Sequence, residues 1–206
     1  MKSSLLLIGL LSLLIASCNR GPKVGVIKDD LPTDPEKHET ITLGGGCYWC
    51  VEAVFQQLDG VISATSGFMG GFVDNPTYDE VCLGGTGHIE VIQVIYDPET
   101  ISTETLLEWF WKAHDPTNPN GQGGDIGEHY TSNIFTHSAA QKEIAEASKK
   151  AAGENFSKPI ATRIRDASEF YKADQAHQDY YFRKKGENSY CPAVITPKLK
   201  KLNLDY

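Results

Sequence analysis

The run Gly44-Gly45-Gly46-Cys47-Tyr48-Trp49-Cys50 constrains this chain more than any other feature. It lies between a short apolar stretch, Ile41-Thr42-Leu43, and a segment with Val51, Val54, Phe55 and Leu58 at helical spacing. Consecutive glycines open backbone conformations closed to other residues, so the pattern predicts a buried strand, a tight turn and a helix starting near Cys47. A thiol at a helix N-terminus meets unpaired N–H groups and the positive end of the helix dipole. Both favour a thiolate, and thus a nucleophile, below the free thiol's pKa of about 8.5. Two thiols and two aromatic rings packed beside three glycines exceed what a simple buried turn needs.

The N-terminus reads as a targeting segment. Lys2 precedes the apolar run Leu5 to Ile15, too short for a mature membrane span but long enough for a signal-peptide core. Ile15-Ala16-Ser17-Cys18 resembles a bacterial lipobox, which makes residues 1–17 a lipoprotein-type signal peptide and Cys18 the lipidation site. The polar, Pro/Gly/Lys-rich residues 18–39 then read as the lipidated cysteine and a flexible tether. Residues 40–206 are of a size to form one domain with a real core. The expected location is the bacterial cell envelope, lipid-anchored at a membrane surface on the periplasmic or outer-membrane side.

Charge narrows the partners. The chain carries 19 basic and 27 acidic residues, a formal charge of −8, with no basic patch or basic amphipathic helix, so nucleic acid is not expected as a partner. With Cys18 set aside, the thiols are Cys47, Cys50, Cys82 and Cys191. Four cysteines in a domain this large do not form a disulfide scaffold; in an oxidising compartment they suit redox chemistry.

Periodicity places these residues on an α+β fold. Val61 to Phe68 and His88 to Tyr96 read as strands, the second alternating between a Glu90, Ile92, Val94, Tyr96 face and an Ile89, Val91, Gln93, Ile95 face. Between them lies a Gly-, Pro- and Asp-rich loop, Gly70 to Gly87. Ser102 caps a helix that buries Leu106, Leu107, Phe110 and Trp111 and stops at Asp115-Pro116. A strand at Thr131 to Phe135 completes the order β-α-β-β-α-β, the ferredoxin-like split βαβ core. Ser138 with Gln141 opens a further helix through a capping box, and Ile160 to Arg165 and Asp174 to Lys184 add a strand and a helix. An extended C-terminal tail carries Cys191. Glu90 stands out as a carboxylate on an otherwise apolar strand face; either water solvates it, or a partly dry pocket raises its pKa and lets it hold a proton near neutrality.

Six collinear blocks give the pattern a family resemblance: Gly46-Cys47-Tyr48-Trp49; Pro76-Thr77-Tyr78-Asp79-Glu80-Val81-Cys82; Thr86-Gly87-His88-Ile89-Glu90; Phe110 to Pro116; Asp125 with Tyr130; and Phe170 to Asp174 with His177-Gln178 and Tyr180. From about Ile41 to Pro197 the chain resembles peptide methionine sulfoxide reductases of the A type. The resemblance implies thiol-dependent reduction of methionine S-sulfoxide, free or in proteins, as repair of oxidative damage. Cys47 would attack the sulfoxide sulfur and become a sulfenic acid. Glu90 would protonate the sulfoxide oxygen, with Tyr78 and Tyr130 hydrogen-bonding it, while Tyr48 and Trp49 hold the S-methyl group and Asp125 positions the substrate. The recycling thiol would be Cys191 on a mobile tail, with Cys50 as the alternative. No bound cofactor or metal is implied; the external reductant would be thioredoxin or a thioredoxin-like protein, and the enzyme would be a monomer.

Two features qualify the match. Family members usually carry an Arg-Gln-Gly-Asn-Asp stretch, a Gln before the tyrosine and an Arg after it, where this chain has Gly121, Gly124, His129 and Thr131. Cys82, with its apolar flanks, reads as an inert buried thiol. The competing reading is a thioredoxin-like thiol-disulfide oxidoreductase using Cys47-x-x-Cys50; it would need partner strands and a cis-proline loop that the sequence does not offer. A papain-like protease lacks its downstream His and Asn blocks, and zinc held by Cys47, Cys50 and histidines lacks a second close ligand pair. A lipoprotein that merely binds peptides would leave the thiols without a role.

Overall fold

A computed structural model describes residues 34–206. The signal-peptide reading, lipidation at Cys18 and most of the tether lie outside the described residues. No helix among the described residues is long and apolar enough to cross a membrane.

The fold is α+β, built on a mixed six-stranded sheet. Strand β1, Glu39–Gly44, lies inside it and pairs antiparallel with β3, Ile89–Tyr96, and with β6, Asn133–Thr136. β3 also pairs antiparallel with β2, Val61–Met69, and β2 with the short β8, Phe170–Lys172. β7, Arg163–Asp166, adds parallel to β6, giving the order β7-β6-β1-β3-β2-β8. A separate hairpin pairs β4, Gly121–Gln122, with β5, Asp125–Ile126.

The two faces of the sheet differ. Ile41 and Leu43 of β1, Ile92, Val94 and Tyr96 of β3, and Ile134 of β6 belong to the main core, with the buried faces of the helices. Met69, Ile89, Val91 and Phe135 form a smaller cluster apart from it. The alternation expected for β3 therefore holds, and Glu90 lies on the main-core face, in register with Phe68 of β2.

Helix α1, Tyr48–Phe55, starts one residue after Cys47, which is its N-cap without a side-chain cap bond. Gly46 makes the turn at φ +89°, and a Cβ there would fall 2.6 Å from Cβ of Gln122. Helix α3, Thr103–Ala113, is capped by Ser102, whose hydroxyl accepts from the Thr105 N–H. Helix α4, Ala139–Gly153, is capped by Ser138, but Gln141 reaches back to the His137 N–H, so the expected capping box closes one residue early.

Three expectations are corrected. The loop from Gly70 to Gly87 contains helix α2, Tyr78–Leu83, opened by a full capping box between Thr77 and Glu80. The helix expected over Asp174 to Lys184 is broken: a 3₁₀ turn covers Gln175–His177, Asp179 takes a left-handed φ of +51°, and α5 spans only Tyr180–Lys184. Gln178 causes the break, since its buried amide bonds the backbone N–H and C=O of Ser66 and the Ala173 carbonyl instead of facing solvent. The C-terminus is not an extended tail: a π-helical turn, Cys191–Ile195, runs into α6, Thr196–Lys201, and Cys191, Ile195 and Leu199 are fully buried.

Gly46→Ala is expected to lower the unfolding free energy by more than about 1 kcal/mol, from left-handed strain alone, before the clash with Gln122 is added. Urea unfolding at constant m-value checks this; an unchanged midpoint would show that the turn tolerates a side chain.

Candidate active site

The strand-turn-helix element brings two thiols and a carboxyl group together. Cys47 is 7 % exposed and Glu90 1 %. The Tyr48 N–H, one of the unpaired donors of the first turn, points at Glu90 and donates to its Oε2 at 3.0 Å. Burial pushes the Glu90 carboxyl from its ordinary 4.5 up to about 8; the Tyr48 N–H opposes this, and Asp125 and Cys50 add to it. Of the two alternatives for Glu90 the structure shows the dry pocket, and burial there favours the protonated form.

Burial corrects the expectation for Cys47. Its thiol is held well above the ordinary value, first by burial, then by the hydrogen bond and charge of Cys50 and by the charge of Glu90. Cys50 goes the other way and is lowered, first by its interaction with Cys47 against its own burial, with help from Lys198 and the Tyr190 hydroxyl. The helix N-terminus does not make a resting Cys47 thiolate because burial outweighs it, and the Cys47 side chain makes no cap bond to the first turn.

The phenols converge on this pair. Tyr78, the first residue of α2, and Tyr130, at the end of a 3₁₀ turn over Glu128–Tyr130, both sense the charges of Glu90 and Cys47. Burial raises both hydroxyls, so both remain proton donors. Tyr48 is buried and its hydroxyl pairs with His177 Nδ1 at 2.8 Å. Trp49 stacks on Tyr180 with centroids 3.6 Å apart and planes 7° off parallel. Cys82 is only partly buried, and its thiol is hydrogen-bonded to the Tyr78 hydroxyl, so it is not the inert core thiol that its flanks suggested.

Asp125 sits on the β4–β5 hairpin and accepts from the Tyr190 hydroxyl at 2.8 Å. The same hydroxyl lies 3.6 Å from Cys50 Sγ, and the Tyr190 ring meets Trp49 edge-on at 5.9 Å. The C-terminal segment thus folds over the site. Cys191 is buried with its N–H on Asn188 Oδ1 and its thiol within reach of the Cys50 charge, not on a free tail. A cleft of about 1010 Å³ opens beside the thiols, lined by Cys47, Cys50, Gln122, Asp125, Tyr190 and Lys198 among others. An apolar groove of about 960 Å³ between α3 and α4 carries no thiol or tyrosine.

Three of the four residues that depart from the usual pattern have structural work, and nothing in the structure explains Gly124. Gly121 has φ +137°, and a Cβ there would fall 2.1 Å from the Asp125 carbonyl oxygen, so glycine is what closes the hairpin around Asp125. His129 is buried against Tyr130 with ring centroids 4.0 Å apart. Thr131 Oγ1 donates to the Glu128 carbonyl and accepts from Asn133 Nδ2. Sequence reading gave Glu52, Tyr180 and Tyr190 no role at the site; a carboxylate in the middle of a buried helix face was the signal for Glu52. Among the described residues no group of three or more His, Cys, Asp or Glu could hold a metal.

This arrangement couples a buried proton holder and two phenols to a thiol with a second thiol in contact, the chemistry of a thiol oxidoreductase that reduces a polar oxygen-bearing substrate. Residues 39–205 match the family model for peptide methionine sulfoxide reductase. The chain is 46% identical over 168 residues to the peptide methionine sulfoxide reductase MsrA 1 of Rhodopirellula baltica, covering 82% of this chain and 87% of that one. The crystal structure of Mxr1 from Saccharomyces cerevisiae in reduced form aligns with TM-score 0.74 and 32% identity, over 80% of this chain and 94% of that one. The same yeast protein in complex with Trx2 aligns with TM-score 0.53 and 27% identity, over 74% and 91%. The chain belongs to the peptide methionine sulfoxide reductase family. It is a reductase of methionine S-sulfoxide, of the A type.

Burial of Glu90 sets a pH signature. Its folded pKa of about 8 exceeds the ordinary 4.5, so in that window the unfolded chain binds fewer protons than the folded one. Stability is expected to be highest below about pH 4.5 as far as this group is concerned and to fall as pH rises toward about 8. Glu52 is raised to about 8 by the same cause and acts in the same direction, while His114, lowered to about 4 by burial, acts in the opposite direction, so Glu90→Gln should make the slope measured by urea unfolding less negative by up to about 1.4 kcal/mol per pH unit. An unchanged slope would contradict the dry carboxyl.

Proposed function

We propose that Cys47 attacks the sulfur of the bound sulfoxide while Glu90 delivers a proton to its oxygen, with the Tyr78 and Tyr130 hydroxyls hydrogen-bonding that oxygen. The observation that carries this reading is the buried Glu90 carboxyl at about 8, tied to the N–H of the residue after Cys47. A sulfoxide sulfur becomes electrophilic only when negative charge on its oxygen is relieved, and one proton donor with two phenols supplies that relief. The S–O bond breaks, the oxygen passes to Cys47 as a sulfenic acid, and the thioether leaves as methionine. The Cys47 thiol proton restores Glu90, so the step consumes one thiol and one sulfoxide and needs no other reactant. Tyr48 and Trp49 receive the S-methyl group, and Asp125 positions the substrate once the Tyr190 hydroxyl has left it.

Cys50 then closes the first disulfide: its thiol attacks the sulfenic sulfur and water is lost. This reverses the preference for Cys191 drawn from sequence, and its support is position: Cys50 stands in the first turn of α1 and lines the same cleft as Cys47, whereas Cys191 is fully buried in the π-helical turn. Cys191, buried within reach of Cys50, takes over that disulfide by exchange and leaves Cys47 free. The reductant is thioredoxin or a thioredoxin-like protein, a reading supported by the complex of yeast Mxr1 with Trx2. The order β6-β1-β3-β2 of the inner strands, all antiparallel to their neighbours, supports a ferredoxin-like split βαβ core. Residues 1–39 serve as signal peptide, lipidated Cys18 and tether, holding the catalytic domain at the bacterial envelope; the lipobox-like Ile15 to Cys18 supports this.

Turnover of the two sulfoxide epimers with a dithiol tests the scheme. Cys47→Ser should abolish reduction of the S epimer, and Glu90→Gln should slow the first turnover about 10²- to 10⁴-fold and remove any fall in rate above about pH 8. Cys50→Ser should still release one methionine per chain but lose fast disulfide formation. Reduction retained in Cys47→Ser would overturn the assignment.

A further inference from the structure

Behind the aromatic wall lies a buried carboxyl group to which the reaction gives no role. Glu52 is 1 % exposed on α1, whose other residues Val51, Ala53, Val54 and Phe55 are buried and apolar. A buried carboxyl costs stability unless hydrogen bonds surround it, so its presence on this face calls for a partner. The Ser66 hydroxyl of β2 donates to Oε1 at 2.9 Å, and the Tyr180 N–H donates to Oε2 at 3.2 Å. The Asp179 N–H bonds the same carboxyl group. Left-handed Asp179 turns these two successive N–H groups toward one acceptor, and backbone donors so arranged form an anion-binding concavity.

Further bonds fix the same segment from both sides. Gln178 is fully buried and bonds the Ser66 backbone twice, and Asp179 Oδ1 accepts from Gln56 Nε2 of the residue following α1. What the segment presents to the site is the Tyr180 ring, flat against Trp49, and the His177 ring, 4.4 Å from Tyr78 and hydrogen-bonded to Tyr48. Every aromatic residue assigned to the substrate wall therefore leans on residues 177–180.

We propose that Glu52 is a positioning residue for the sulfoxide pocket: through the Asp179 and Tyr180 N–H groups it holds the Tyr180 ring against Trp49 and so sets the plane of the indole that receives the S-methyl group. This rests on the reading of Trp49 as that wall. Glu52 itself touches neither Cys47 nor the reacting oxygen, so its removal loosens substrate binding and leaves the chemical step intact.

The test measures single-turnover thiol loss in the full-length protein against the concentration of free methionine S-sulfoxide. Glu52→Gln and Tyr180→Leu should each raise the half-saturating concentration about two- to tenfold, the range set by one aromatic pair. Each should leave the plateau rate within about twofold, and the double variant should add nothing beyond the single ones, since both act through one contact. Additive penalties, a fallen plateau with unchanged half-saturation, or wild-type behaviour of Glu52→Gln would overturn the proposal. If Glu52→Gln does not fold, Ser66→Ala, which removes one donor to the same carboxyl group, takes its place against Tyr180→Leu with the same non-additivity expected. Trp49→Ala separates the two readings. If it leaves half-saturation unchanged, the wall assignment falls and the proposal with it; if it raises half-saturation while Glu52→Gln does not, the proposal alone falls.

Discussion

One hydrogen bond, from the Tyr48 N–H to the buried Glu90 carboxyl, joins the first turn of the thiol helix to the strand between β1 and β2. It ties the residue after Cys47 to Glu90 across two separate elements, α1 and β3. The Tyr48 N–H goes to Glu90, while burial, the neighbouring Cys50 and the Glu90 charge hold the Cys47 thiol protonated. A resting thiol in a dry pocket resists stray oxidation, and sulfoxide reduction needs the acid as much as the thiolate.

The surrounding aromatic residues follow from the same economy of contacts. On the proposed reading these rings receive a methyl group, which is recognised by shape alone, so the wall must be stiff. Tyr48 and Trp49 come from α1, Tyr78 from α2, and all three are backed by His177 and Tyr180 from a segment that Gln178 bolts to β2. Tyr190 closes the front by taking Asp125 as its acceptor, which places the segment bearing Cys191 over the two reactive thiols. The loop departures act in the same sense: Gly121 permits the tight hairpin under Asp125, and His129 props the Tyr130 ring.

Much of this was legible in the sequence wherever the signal is local. The strand-glycine-helix element, the two faces of β3 and the caps Ser102 and Ser138 each follow from spacing and side-chain chemistry within a few residues, and each stands where expected. Helix α2 was equally written in Thr77-x-x-Glu80, but glycines, prolines and aspartates on both sides concealed it. The failures are tertiary. Nothing within Asp174 to Lys184 says that Gln178 will bond Ser66 more than a hundred residues earlier and break the helix. Nor do flanking residues say that Cys191 will be buried or that Glu90 will capture the Tyr48 N–H. The family blocks located Cys47, Glu90, Tyr78, Tyr130 and Asp125, but the protonation pattern among them depends on burial that appears only in three dimensions.

The central claim is that oxygen leaves the substrate onto Cys47. The direct measurement is mass spectrometry of a Cys50→Ser, Cys191→Ser double variant, treated with one equivalent of methionine S-sulfoxide and trapped with a sulfenic-acid reagent. The account predicts one trapped oxygen equivalent on Cys47 for each methionine released, with Cys82 unmodified. Methionine release with no adduct on Cys47, or an adduct confined to Cys82, would contradict it.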